Sequence, residues 1–231
     1  MVPLHDNNPT RITPYVTYAL IGINVFVFLY ELSLSPQELE SFFRTYAIVP
    51  RELTASFESG NQLIPQLMTL ITSQFLHGGF LHLGGNMLFL WVFGNNIEDK
   101  LGRIKFIIFY LLCGALAGLS QWFFSSGSDI PSLGASGAIA GVLGAYVLRF
   151  PKARILTLIP LGFFFYTVRI PAMFFLGFWF VQQAFYSIAS LQAPSNMGSG
   201  GIAYWAHAGG FVFGAILGPL FGLFSDRNVQ D

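Results

Sequence analysis

The chain has 231 residues and a formal net charge of zero, with 54% hydrophobic and only 10% charged residues. Soluble domains carry about 25% charged residues, so this composition excludes an ordinary soluble domain and marks an integral membrane protein. A neutral chain with no basic run also excludes nucleic acid as a partner, and its one cysteine, Cys113, excludes an internal disulfide.

Charged residues punctuate the chain, and the apolar gaps between them mark spans, at about 20 residues per bilayer crossing. Arg11 and Glu31 enclose the first, about residues 15–30. Residues 32–79 mix apolar residues with Pro and Gly and read as a loop leaning on the membrane surface. A second span follows at about 80–97, a third at 106–126 between Lys105 and Asp129, and a fourth at 133–148 ahead of Arg149. The apolar piece 155–168 is short and contains Pro160, so it reads as an interfacial loop. The uncharged stretch from Arg169 to Asp226 is too long for one helix. The segment "QAPSNMGSGG" (192–201) divides it into a fifth span at about 170–191 and a sixth at 202–224.

The expected fold is an all-α, six-helix bundle forming one membrane domain over 1–231, with no soluble domain, no repeat and no low-complexity tail. Nine of the 11 Lys and Arg residues, Arg227 among them, fall on the N-terminal side of such a bundle, and only Arg44 and Arg51 on the other. Cationic residues favour the cytoplasmic side, which predicts both termini there. The N-terminal segment lacks cleavable-signal character, so the first span is expected to stay.

Polar side chains inside spans are costly and mark function by default. "FLHLGGNMLF" places His82 and Asn86 four apart on one helical face, near the start of the second span. Ser136 lies near the start of the fourth span and His207 near the start of the sixth, and all three spans enter from the outer side. At 1.5 Å per residue the four groups lie roughly 5–10 Å below the outer boundary. Each also has a plainer reading. Ser136 with Gly137 and Gly141 fits close helix packing, His207 fits a satisfied interior histidine, and His82 with Asn86 fits interhelical hydrogen bonding. His77, His82 and His207 lack an accompanying carboxylate or Cys, and no HExxH occurs, so neither a metal nor another cofactor is expected. Packing and chemistry are compatible here. A Gly137/Gly141 face against a Gly210/Gly214 face would bring Ser136 and His207 within reach, and Gly114 and Gly118 offer a similar surface on the third span.

"HLGGN", "GASG" and "AHAGG", in that order on spans two, four and six, resemble the rhomboid intramembrane serine proteases. "FGNNIED" after the second span and "FLGFWFVQQ" in the fifth add to the likeness. The resemblance implies Ser136 as nucleophile and His207 as general base and later acid. It implies His82, Asn86 and the Ser136 N–H as oxyanion donors, with Gly134 shaping their pocket and Glu98 tying a loop to neighbouring helices. The chemistry agrees, because a serine hydroxyl is a weak nucleophile until a base takes its proton. No Asp or Glu lies at this depth, so a Ser–His dyad without a third, orienting residue is expected.

Two positions depart from the family pattern. Met68 and Thr69 stand where many members carry a Trp-Arg pair that anchors the first loop. Ala140 stands where some members carry an aromatic residue supporting the histidine. The resemblance implies an endopeptidase in the lipid bilayer that cuts transmembrane segments of other proteins, which must unwind locally to expose a peptide bond. The alternative is a catalytically inactive rhomboid-like scaffold that binds such segments. A transporter would show paired broken helices in two related halves, and none is visible. A compact form without added domains or a transit peptide suggests a bacterial cytoplasmic membrane.

Overall fold

The computed structural model describes residues 1–190 and 203–225. The dividing segment at 192–201 and Arg227 lie outside them. Small residues set the centre of the molecule. Helix α8 (Ser136–Arg149) is built from Gly, Ala and compact aliphatics, and every residue from Gly137 to Tyr146 is buried. A helix apolar on all sides belongs inside a bundle, and α8 is packed against both α7 (Arg103–Ser125) and α10 (Tyr204–Leu220), which also pack on each other. A Cβ at Gly210 would collide with the Gly137 carbonyl oxygen, and one at Gly214 with that of Gly141, so the two backbones touch as the glycine stripes predict. The third-span glycines do something else: Gly114 is filled by the Gln74 side chain and Gly118 by Ile48, both from the segment before α5 (Phe80–Phe89).

Around this core stand α1 (Tyr15–Glu31), α5 and α9 (Ala172–Ser190). A π-helical turn, Leu90–Gly94, continues α5 into α6 (Asn95–Leu101). Among the described residues α7, with 23 residues, and α9, with 19, are long and apolar enough to cross a membrane; α1 and α8 are shorter apolar helices. No side chain of its own caps the start of α1. Glu98 of α6 does so instead, accepting the Val16 N–H at 3.0 Å and the Thr17 N–H and hydroxyl at 2.8 Å each. Free amides of a first helical turn attract a carboxylate.

The surface segment 32–79 is helical rather than a loop, holding α2 (Pro36–Tyr46), α3 (Pro50–Ser59), α4 (Leu63–Thr72) and a 3₁₀ turn, Ser73–Phe75. Ser35 and Glu38 form a reciprocal capping box that starts α2. Several contacts anchor this segment to the end of α7 and the residues that follow it. The Arg51 guanidinium reaches Asp129 at 2.9 Å and donates to the Gly127 carbonyl at 2.8 Å. The Trp122 indole donates to Thr54 Oγ at 2.9 Å, and Ile48 pairs with Ser132 as an isolated bridge.

The all-α expectation and the interfacial loop at 155–168 are both corrected by a three-stranded antiparallel sheet. Strand β1 (Val2–Asp6) pairs with β2 (Arg154–Leu161), which pairs along its whole length with β3 (Phe164–Pro171). Thr, Val, Ile, Phe and Tyr favour pleated backbone. Gly162, with φ of 62°, followed by Phe163, makes the two-residue turn with positive φ at its first position only, the II′ pattern that suits hairpins. β2 is central only where β1 covers it, Ile155 to Leu158, so Pro160 lies beyond that ladder. Beneath the bundle, Asp6 accepts the Tyr146 hydroxyl and the Asn96 amide, the latter at 3.0 Å, tying β1 to α8 and α6.

Candidate active site

The α8–α10 contact brings together the two residues expected to react. Ser136 is the first residue of α8 and His207 sits in the first turn of α10. With their backbones in contact, the Ser136 hydroxyl donates to His207 Nε2 at 2.7 Å. On the far side of the ring, His207 Nδ1–H donates to Gln183 Oε1 at 2.8 Å. Gln183 is a buried residue of α9, one helical turn after Trp179, whose ring centroid lies 5.9 Å from that of His207. An oxygen at Nδ1 selects the tautomer whose Nε2 carries a free lone pair aimed at the serine. The expectation that no third residue orients the base is therefore corrected, and Trp179 walls the ring that Ala140 is too small to support.

A second group of polar atoms faces the serine. Asn86 and His82 lie one turn apart on α5. Gly134 has φ of 124°, and its N–H donates to the Ser73 carbonyl at 2.8 Å. A Cβ at Gly134 would stand 2.7 Å from His82 Nε2 and 3.7 Å from Asn86 Nδ2, so only glycine fits both the backbone and the imidazole beside it. The Ser136 N–H, in the first turn of α8, has no intrahelical acceptor. Asn86 donates one amide hydrogen to His77 Nε2 at 2.9 Å, leaving the other for a ligand. Burial, then the neighbouring His82, pushes His77 down to about 4, so it stays neutral and can accept. The His77 backbone N–H donates to the Glu31 carboxylate at 3.2 Å, which fixes that turn against α1.

These groups open into one cavity of about 870 Å³ that Ser136, His207, His82 and Asn86 share with apolar Phe89 and Trp179. It has room for several side chains of an extended peptide beside a polar corner. Among the described residues no three potential metal ligands cluster. Of the residues expected at the site, Ser136, His207, His82 and Asn86 line this cavity, and Gly134 lies against the His82 imidazole. Gln183, Trp179 and His77 are additions. Their sequence signals were a buried amide and indole one turn apart in a span, and a histidine just outside one.

A family model described as "Rhomboid domain" matches residues 65–224. Over 220 residues the chain is 32% identical to "Rhomboid protein 1, mitochondrial" of Saccharomyces cerevisiae, covering 93% of this chain and 54% of the yeast protein. It is 34% identical over 107 residues to "Presenilin-associated rhomboid-like protein A, mitochondrial" of Danio rerio, 46% of this chain and 28% of that one. It is also 34% identical over 135 residues to "Rhomboid protease GluP" of Bacillus subtilis, 57% of this chain and 24% of the relative. The chain thus spans about half the length, or less, of these relatives. The expectation of a bacterial cytoplasmic membrane is overturned, because the relative aligned over most of the chain is mitochondrial. That expectation leaned on the compact form of the chain, and the ends of a chain spanning part of its relatives carry no such information.

Proposed function

Since the chain belongs to the rhomboid family, we propose that it is an intramembrane serine endopeptidase that hydrolyses transmembrane segments of other proteins in a mitochondrial membrane. The observation that carries this reading is the 2.7 Å hydrogen bond from Ser136 to His207 Nε2 inside a cavity lined by further donors. Ser136 Oγ attacks the scissile carbonyl carbon while His207 Nε2 takes its proton. The oxygen of the tetrahedral intermediate is held by the Ser136 N–H, Asn86 and His82. His207 returns the proton to the leaving amine, and a water, activated by the same histidine, then frees the acyl group from Ser136.

The six-span arrangement belongs to the same proposal. What supports it is the pairing of β1 with β2: the N-terminus and the connection between α8 and α9 lie on one side, which requires an even number of crossings between them. The substrate helix unwinds at the cavity because helical peptide groups are mutually bonded in lipid, so segments with Gly or Ser near the cavity's depth are favoured over all-Leu ones.

A fluorophosphonate probe and a transmembrane reporter substrate in proteoliposomes test this together. Wild type should label on Ser136 and cut the reporter, and Ser136→Ala and His207→Ala should lose both. A folded wild type that neither labels nor cuts would refute catalysis and leave the scaffold reading. Equal cutting by Ser136→Ala would remove the nucleophile.

A further inference from the structure

The outer half of the β2–β3 hairpin has no neighbouring element among the described residues. Phe163 is 99% exposed, and Leu161, Phe164, Phe165 and Tyr166 are each more than half exposed. From Leu158 to Tyr166 no charged or amide side chain occurs. Successive strand residues face opposite sides, so Phe164 and Tyr166 lie on one face of the tip while Phe165 lies on the other. A sheet that rests on a core by one face alternates apolar with polar residues. This tip is apolar on both faces, so the medium that covers it must surround it.

The root of the hairpin supplies the charge. Lys152, Arg154 and Arg169 are exposed there, Arg149 ends α8 just before it, and no acidic residue occurs between Asp129 and Asp226. The root is also fixed in depth, because the Ala172 N–H bonds to the Ala153 carbonyl at 2.7 Å and the Met173 N–H to the Pro151 carbonyl at 3.0 Å. That places it where α8 ends and α9 begins. Arms of eight residues extend about 26 Å from there at roughly 3.3 Å per residue, which sets the aromatic tip well away from the charged root.

We propose that this hairpin is a lipid anchor: its aromatic tip is embedded in the headgroup–acyl boundary of an anionic leaflet on the side of the N-terminus, with Lys152, Arg154 and Arg169 on the headgroups. Aromatic side chains with basic neighbours suit that boundary. The hydrocarbon centre is excluded, because a two-stranded tip has unpaired edge groups that need polar partners. A protein partner would cover one face and leave the other in water. Through the bonds at Ala172 the anchor also fixes the end of α9, the helix that carries Trp179 and Gln183.

Spin labels on the full chain in vesicles test this, with Cys113 fully buried and out of reach of the reagent. Labels go on Phe163→Cys and Phe164→Cys at the tip and on Lys152→Cys at the root. Collisions with oxygen report lipid, and those with a water-soluble nickel chelate report solvent. In phosphatidylcholine vesicles containing phosphatidylglycerol, both tip labels should favour oxygen and the root label nickel. Leaving out phosphatidylglycerol should shift the tip labels toward nickel. Nickel-favoured tip labels in both vesicles, or one tip label wet and the other dry, would overturn the embedded tip. A tip depth indifferent to phosphatidylglycerol would overturn the anionic leaflet. Spin–spin broadening that vanishes on dilution with unlabelled protein would assign the tip to a second copy and overturn the lipid.

Discussion

Gln183→Leu removes the acceptor at His207 Nδ1 while keeping nearly the same volume. The lost contact is one 2.8 Å hydrogen bond to a ring that becomes charged when it takes the Ser136 proton. Hydrogen bonds to charged groups contribute about 1.5–3 kcal/mol, and each 1.36 kcal/mol is tenfold in rate, so acylation should slow by about ten- to a hundredfold. The loss stays below the roughly 10⁴-fold seen when a triad carboxylate becomes an amide, because a neutral acceptor is already in place. Gln183 lies behind the histidine and does not border the cavity, so the effect should fall on kcat and on the rate of fluorophosphonate labelling, with KM unchanged. Gln183→Glu keeps an oxygen at the same reach and should recover most of the rate. A Gln183→Leu variant that is folded and labels at the wild-type rate would refute the orienting role. A rise in KM with kcat unchanged would mean that the residue shapes substrate binding instead.

Asn86→Ala should lower kcat by about 10²–10³-fold, the usual effect of one oxyanion donor, and an unchanged kcat would take Asn86 out of that role. His77→Ala frees the Asn86 amide to rotate and should cost less than that. The double variant should be no slower than Asn86→Ala alone, whereas additive losses would show that the two residues act separately. Gly134→Ala puts a methyl 2.7 Å from His82 Nε2 on a backbone with φ of 124°; a melting curve in detergent should show a loss of about 1–3 kcal/mol, and a wild-type melting temperature would contradict the fit. The Asp6 carboxyl is held above its ordinary 3.8 by burial, which outweighs the hydrogen bond from Tyr146. The folded protein then binds that proton more tightly than the unfolded chain, so the contribution is full below pH 3.8 and is lost as pH rises through the raised value. The melting temperature of wild type should therefore fall relative to Asp6→Asn as pH rises, and a constant difference would exclude this titration.

Helices α1, α7, α8 and α9 begin or end within a few residues of the charges that bound their apolar gaps, because a charged side chain leaves lipid at the first opportunity. The sheet was illegible by the same rule. A hairpin whose tip is apolar on both faces carries no alternation to read, and Pro160 argued against a strand although it lies outside the part that β1 covers. The Gly162–Phe163 turn between β-branched and aromatic runs was the signal that could have found it. The surface segment hid its helices in a similar way. α2 and α3 open with Pro in their first turn, which marks a start as readily as a break.

The pairing of Ser136 with His207 was legible because two glycine stripes leave one distance at which α8 and α10 can pack. The residue behind the histidine was not, since only carboxylates were weighed as its partner. A carboxylate is disfavoured at that position on physical grounds. An ionised Asp at a helix centre in lipid costs about 2.5–3.5 kcal/mol, and opposite a neutral imidazole it has no counter-charge in the resting state. The amide of Gln183 accepts the Nδ1 hydrogen without a net charge. The weaker hold it offers the imidazolium falls only on the transient state, not on the folded protein. The same cost that clears Asp and Glu from the spans thus selects the residue that aims the base, so in a chain of this composition a buried Gln one turn from a Trp is where such a partner should be sought.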